Sequence, residues 1–398
     1  MKFPERFSNL PAYAFPRLRS LLDAHAPGGD VVHMTIGEPK HQFPQWVGQI
    51  IADNVAGFNS YPANDGTDEL RGAITDWIAR RYGVTLDPAQ NVMALNGTRE
   101  GLYNAAMALC PETKNGAQPV VLSPNPFYQV YMIGAISVGA QPVFVPATAA
   151  TGHLPDYTAL SPEVLNRTAI AYICSPANPQ GAVASRQYWA DLLALAEQYD
   201  FRIFADECYC EIYRDTPPVG ALQVARELGA DPERVLSFHS LSKRSNLPGL
   251  RSGFVAGGPK SIAALKQLRA YSGAPLPGPL QAAAAAVWAD EDHVRENRAL
   301  YQEKYRVADA VMAGVPGYTG PEAGFFLWLP VANGEQAALK LWQETGVRVL
   351  PGAYLAQGAP GQNPGEGFIR VAMVAPKNDM ERALITLREC LYNQVDRG

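Results

Sequence analysis

Histidine is scarce in this chain, and what there is keeps no ligand spacing. The six (His25, His33, His41, His153, His239, His293) fall nowhere as the close pairs that bind a metal ion, so no metal site is expected. The five cysteines (Cys110, Cys174, Cys208, Cys210, Cys390) are odd in number and form no C-x-x-C pair. That gives no sign of a disulfide framework or a C-x-x-C redox motif. Cys174 and Cys208 lie in or beside apolar runs and read as reduced, buried thiols, which points to a cytoplasmic protein. No apolar run approaches the roughly 20 residues needed to span a bilayer, so no membrane association is expected. Met1-Lys2-Phe3-Pro4-Glu5 lacks the apolar core of a signal peptide. The net charge of −5 offers no basic field to nucleic acid. No internal repeat is present.

What is present is an ordinary globular composition, 47% hydrophobic and 18% charged over 398 residues, enough for two domains with sizeable cores. Pro4, Pro11 and Pro16 mark an arm, and the pattern from Leu18 to Leu22 a short helix. Val31 to Ile36 reads as a strand stopped by Gly37-Glu38-Pro39. A helix over about 45–54 follows, then an amphipathic one from Asp65 to Tyr82, with Leu70, Ile74, Trp77 and Ile78 on one face. From 91 to 258 short β-rich runs alternate with helical stretches. The strands are Val92–Leu95, Val120–Ser123, Val143–Val145, Ile170–Cys174, Arg202–Ala205, Val235–Phe238 and Phe254–Ala256. Such alternation predicts a mostly parallel seven-stranded sheet covered on both faces, an α/β fold whose ligands bind beyond the carboxyl ends of the strands. After 281–288 the character changes to a long polar helix (about 292–312), a hairpin-like region (324–330), short strands at 347–350 and 368–371, and a final helix from Lys377. The expected division is an arm and part of a small domain over 1–45, a large domain over 46–280, and a small α+β domain over 281–398.

The candidate site residues fall at the predicted strand ends. Lys243, in Ser240-Leu241-Ser242-Lys243, is expected on a loop between two strands. An amine there is nucleophilic once burial or a neighbouring cation strips its proton. With Arg251 eight residues on and the Ser240 hydroxyl, the set suits a phosphorylated aldehyde cofactor such as pyridoxal phosphate (PLP). The alternative is a solvated loop lysine. Asp206 ends its strand, where a carboxylate can face the crevice and pair with a protonated pyridine nitrogen, or merely cap a helix. Tyr209 is either a hydroxyl donor to the cofactor or a core tyrosine. Asn178 stands in a turn sequence, Asn-Pro-x-Gly. Gly97 permits close backbone approach ahead of a helix N-terminus, where Thr98 can serve an anion or act as a cap. Arg370 lies inside a β-rich run, facing either solvent or a carboxylate.

Ser-x-x-Lys with Arg eight residues after the lysine resembles the cofactor-lysine motif of the class I/II PLP-dependent aminotransferases, of fold type I, over almost the whole chain. SLSKRSNLPGLRSGFVAG with GEPKH (37–41) more narrowly resembles the bacterial N-succinyldiaminopimelate aminotransferases of lysine biosynthesis. The resemblance implies PLP bound at Lys243, with Asp206 on the pyridine nitrogen and Tyr209 and Asn178 on the phenolic oxygen. It implies a phosphate cup of Gly97, Thr98, Ser240 and Arg251, and Tyr128 stacked on the ring, with Phe127 as its competitor. It further implies that Arg370 and the Gly37 N–H hold the substrate α-carboxylate. Tyr61 would cross to the partner's phosphate in a homodimer with shared sites. The implied reaction is a two-step transfer between an amino donor and a 2-oxo acid, N-succinyl-LL-2,6-diaminopimelate and 2-oxoglutarate. Lys40, Arg99 and Arg244 are candidate cations for the donor's tail. Alternatives are aromatic, alanine or kynurenine transamination, a PLP-dependent lyase, and a non-catalytic PLP sensor.

Overall fold

The computed structural model describes residues 4–8 and 10–393; the arm residues Met1–Phe3 and Asn9 lie outside it, as does the chain after 393. Among the described residues, twelve strands run in chain order: β1 (Val32–His33), β2 (Val92–Leu95), β3 (Val120–Asn125), β4 (Gln141–Pro146), β5 (Thr168–Cys174), β6 (Arg202–Asp206), β7 (Val235–Ser240), β8 (Gly253–Gly257), β9 (Phe326–Pro330), β10 (Val347–Arg348), β11 (Leu350–Pro351) and β12 (Phe368–Ala372). β2 to β8 form a seven-stranded sheet in the order β2-β8-β7-β6-β5-β3-β4. All its strands are parallel except β8, which runs against both β2 and β7. That exception follows from chain length. Only residues 241–252 join β7 to β8, with Ser240 opposite Gly253, too little for a crossover covered by a helix of ordinary length.

Alternation along the strands builds the two cores. Ile170, Tyr172 and Phe204 point into one face with Leu102, Tyr131 and Leu265. Ala171, Ile173, Ile203 and Ala205 point into the other with Trp189 and Leu193. The period of two residues puts neighbours on opposite faces, and helices cover both. The flanking helices carry clear end signals. Helix Asp68–Tyr82 begins at Thr67, whose hydroxyl accepts from Leu70 N at 3.2 Å, places Asp68 and Glu69 in its first turn, and stops at left-handed Gly83.

The remaining strands build a smaller unit. β12 pairs with both β9 and β11 in an antiparallel sheet under helices Asp292–Met312, Gly334–Thr345 and Lys377–Leu391. The N-terminal segment joins it through β1, which pairs with β10, and through helix Ala14–Leu22, packed on Trp342 and Tyr354.

Several local expectations are corrected. The strand at 31–36 is only Val32–His33, because its single partner β10 is equally short. The 324–330 region is no hairpin: β9 pairs with β12, some forty residues along the chain. Residue 280 falls inside helix Gly278–Ala289, whose Ala283, Val287 and Trp288 pack with Ile74, Trp77 and Phe254 of the large unit; we propose the division after that helix. No helix among the described residues is long and apolar enough to cross a membrane.

Candidate active site

Because β2, β3, β5, β6 and β7 run the same way, their carboxyl ends open at one edge of the sheet. The segments that leave them enclose a cavity of about 500 Å³. Its floor includes Asp206, Cys208 and Lys243; its walls include Thr98, Tyr128, Asn178, Arg251 and Arg370.

Lys243 occupies a one-turn helix, Leu241–Arg244, rather than the expected loop. Ser240 caps it, its hydroxyl accepting from Ser242 N at 3.1 Å. The amine donates to the carbonyl oxygen of Gly37. Burial pushes it down to about 8; Cys208 pulls the other way, and Arg370 adds to the fall.

Asp206 is buried at the end of β6. Its Oδ2 accepts from the Tyr131 hydroxyl at 2.7 Å, and Oδ1 lies 3.4 Å from Cys208 N. Burial holds its carboxyl above the usual carboxylate range, while these hydrogen bonds oppose the rise. No Lys or Arg pairs with it among the described residues.

Arg370 is the opposite case, a guanidinium buried without an anion. Nη1 donates to Asn178 Oδ1 at 3.0 Å and Nη2 to Thr35 O at 2.7 Å, the Phe326 ring lies 4.2 Å below, and Nε has no partner. Burial lowers it to about 10. β12 turns the side chain inward, so the solvent-facing alternative is excluded.

At the end of β2 stands Gly97, at φ +83° and ψ 157°. A Cβ there would fall 2.1 Å from Arg251 Nη2. Arg251 reaches over it, donating to Asn96 O at 3.1 Å and Pro248 O at 2.9 Å. Gly97 is the N-cap of helix Thr98–Leu109 and has no side chain to cap with, so capping by Thr98 is not what the structure holds. The Thr98 hydroxyl instead lies 3.1 Å from Cys208 Sγ. The helix start therefore keeps free N–H groups beside an arginine, a cradle for a phosphate.

Tyr128 lines the cavity, and its hydroxyl accepts from Arg99 Nε at 2.6 Å. Phe127 packs on Phe144, ring centroids 4.7 Å apart. Tyr209 is buried edge-on against Phe325 and Phe326, and burial raises its hydroxyl. Tyr61 stands apart, fully exposed and outside the cavity. Of the tail cations, only Arg99 lines the wall. Lys40 pairs with Glu38 at 2.5 Å, and Arg244 is buried against Val287 O and Glu291.

Unmarked as site residues by the sequence are Cys208 and Ser242 in the cavity lining, Tyr131 behind Asp206, and Tyr13 and Phe15 from the N-terminal segment. Tyr131 lies about one helical turn from Tyr128, a spacing that could have suggested a shared site. Nothing in the sequence around Tyr13 marks it.

A family model described as aminotransferase class I and II matches residues 29–387. The chain is 34% identical to the LL-diaminopimelate aminotransferase of Desulforudis audaxviator over 98% of this chain and 99% of that one. It is 31% identical to the enzyme of that name from Dehalococcoides mccartyi, over 97% and 98%. Among solved structures, an aminotransferase from Neisseria meningitidis superposes with a TM-score of 0.91 at 37% identity, over 96% of this chain and 98% of that one. A probable N-succinyldiaminopimelate aminotransferase from Thermus thermophilus shares the fold, with a TM-score of 0.81 at 24% identity over 95% and 98%.

Proposed function

This chain belongs to the class I and II aminotransferases, and from that premise we propose that it transfers the amino group of N-succinyl-LL-2,6-diaminopimelate to 2-oxoglutarate. The observation that carries the reading is a set of three groups facing one cavity without charge partners: Asp206, Lys243 and Arg370. Buried charge without a partner is costly, so each is explained by a ligand that completes it.

PLP, the family's characteristic cofactor, fits the donor set. Gly97, Thr98, Ser240 and Arg251 would hold its phosphate, Asp206 its ring nitrogen, Tyr209 and Asn178 its phenolic oxygen, and Tyr128 its ring face. When bound it supplies an electron sink for charge developing at the substrate Cα. The protein's part is positioning and proton transfer. Arg370 forms a two-pronged bond to the α-carboxylate, supported by the Gly37 N–H. With its pKa near 8, Lys243 Nζ can lose its proton close to neutral pH. It takes the proton from the donor's Cα in the first half-reaction and delivers one to the acceptor's Cα in the second. Tyr61, fully exposed and outside its own cavity, completes the partner's phosphate site in a homodimer.

For the tail, Arg99 is the wall cation left over for a distal carboxylate, while Glu38 is occupied by Lys40. Among the described residues that line the cavity, the carboxylates are Asp206 and the Lys40-paired Glu38, which favours the acylated donor over a tail ammonium. Unmodified LL-diaminopimelate is the second reading, supported by the names of the relatives at 29–34% identity. The test is kcat/KM for both donors, glutamate, phenylalanine and alanine against saturating 2-oxo acid. The succinylated donor should lead, with glutamate serving as the other donor. Each lost charge-assisted contact is worth roughly 1.5–3 kcal/mol, about tenfold to a hundredfold in specificity. If LL-diaminopimelate leads, the second reading replaces the first. If phenylalanine leads, both fall.

A further inference from the structure

The turn carrying Lys243 is fastened away from the sheet. Arg244, Ser245 and Asn246 all reach helix Asp292–Met312 or its junction with helix Gly278–Ala289. Arg244 donates to Val287 O at 2.9 Å and Asp290 O at 3.0 Å. Ser245 Oγ lies 2.8 Å from His293 Nε2. Asn246 Nδ2 donates to Gln42 O at 3.2 Å and to Asn297 Oδ1 at 3.1 Å.

Asn297, 4% exposed, ties these contacts to the lysine itself. Its Nδ2 lies 3.4 Å from the carbonyl oxygens of both Lys243 and Arg244. Its Oδ1 takes the bond from Asn246 and lies 2.9 Å from His41 Nδ1. The amide orientation follows from the neighbours: two carbonyls can only accept, so Nδ2 faces them and Oδ1 faces Asn246. His41 must then carry its proton on Nδ1. Burial, followed by the nearby Lys304 charge, pushes His41 down to about 4, so it is neutral in the working range. His41 lies four residues after Gly37, whose carbonyl accepts from Lys243 Nζ. The lysine is thus held at both ends, its backbone through Asn297 and His41, its amine through Gly37.

We propose that Asn297 is a positioning residue for Lys243, locking the lysine's turn to the loop 37–41 so that the amine and the α-carboxylate site keep one geometry. The proposal rests on the reading of Lys243 as the reactive amine. The charged and titratable groups that act most on Lys243 are Cys208, Arg370, Glu38 and Arg251, and Asp206 and Tyr209 line the same cavity. Asn297 bonds none of these, so a neutral replacement acts on the amine through its position.

The test measures carbamoylation of Lys243 by cyanate in the apoprotein as a function of pH, read by peptide mass, alongside kcat of the loaded enzyme and the melting temperature. In the wild type the rate divided by the concentration of cyanic acid, the species the free amine attacks, should rise about tenfold per pH unit and level off near 8. In Asn297→Ala the midpoint should move up by about half a unit or more as the amine gains water. Its kcat should fall roughly tenfold or more from misplacement. Ser245→Ala, which cuts a junction contact without touching the Lys243 carbonyl, should lower the melting temperature without moving the midpoint. If Asn297→Ala does not fold, His41→Leu, which removes the loop-side donor along with the ring packed on Tyr301, should shift the midpoint in the same direction. A wild-type midpoint near 8 that no variant moves, with kcat retained, overturns the role of Asn297 alone. A wild-type midpoint at an ordinary lysine value overturns the reading of Lys243, and the proposal with it.

Discussion

At Gly97 two constraints meet on one residue. Its backbone conformation is one that glycine alone adopts readily, and the space a Cβ would fill belongs to the Arg251 guanidinium. Gly97→Ala must therefore strain the backbone and push Arg251 off Asn96 O and Pro248 O. Strain of this kind costs about 1–3 kcal/mol; the free protein can relax out of it and binding must restore it, which predicts up to roughly 5- to 150-fold weaker affinity for a phosphate monoester cofactor. Equilibrium titration of the apoprotein with PLP, followed by absorbance, checks this; an unchanged affinity would mean that Arg251 does not serve the phosphate. The motif around Gly97 was readable because glycine signals its conformation in the sequence. Tyr131 was not, because its bond to Asp206 joins residues 75 positions apart.

Among the elements, helix Asp292–Met312 does more than cover the small sheet. Arg298 on this helix and Arg81 on helix Asp68–Tyr82 both grip the buried Glu211, with Arg81 Nε at 2.8 Å and Arg298 Nη2 at 2.5 Å. The carboxylate ties together two helices that share no strand. Removing it leaves two largely buried cations facing each other. Glu211→Ala should lower stability by about 3–5 kcal/mol, seen as a lower urea midpoint, whereas an exposed pair such as Arg382–Asp379 should cost far less. A loss under about 1 kcal/mol would show that water solvates both arginines. The helix was legible as a long polar stretch at about 292–312, and the structure has it at Asp292–Met312. Its partners were not, since a helical repeat says which residues share a face but not what that face meets.

Among the described residues, several large apolar side chains stand uncovered. Val55, Phe58 and Tyr61 are all exposed within seven residues, Tyr61 completely, and Tyr271 stands out likewise. Exposed apolar side chains grouped along the chain are what a subunit interface would cover. A homodimer is the expected state by light scattering at micromolar concentration. Subunit mixing tests the shared site: Tyr61→Phe chains combined with Lys243→Ala chains should form heterodimers with one intact site and one doubly altered site. Activity should therefore exceed the sum of the two parents. A fully active monomer would remove Tyr61 from the site altogether.

The sequence alone determined the seven central strands, the parallel character of the sheet and the residues at its strand ends, because period, turn residues and short motifs are local properties. Lys243, Asp206, Asn178 and Gly97 could be picked out for the same reason: each ends or follows a strand whose β-rich run is visible. Only the tertiary structure decided that Lys243 rides a helical turn, that Arg370 faces inward, that Arg99 alone of the three tail cations reaches the cavity, and that Asn297 holds the lysine's backbone. Those outcomes depend on which surfaces meet when the small unit folds against the sheet edge. Burial and unpaired charge belong to that meeting, and no stretch of the chain carries them by itself.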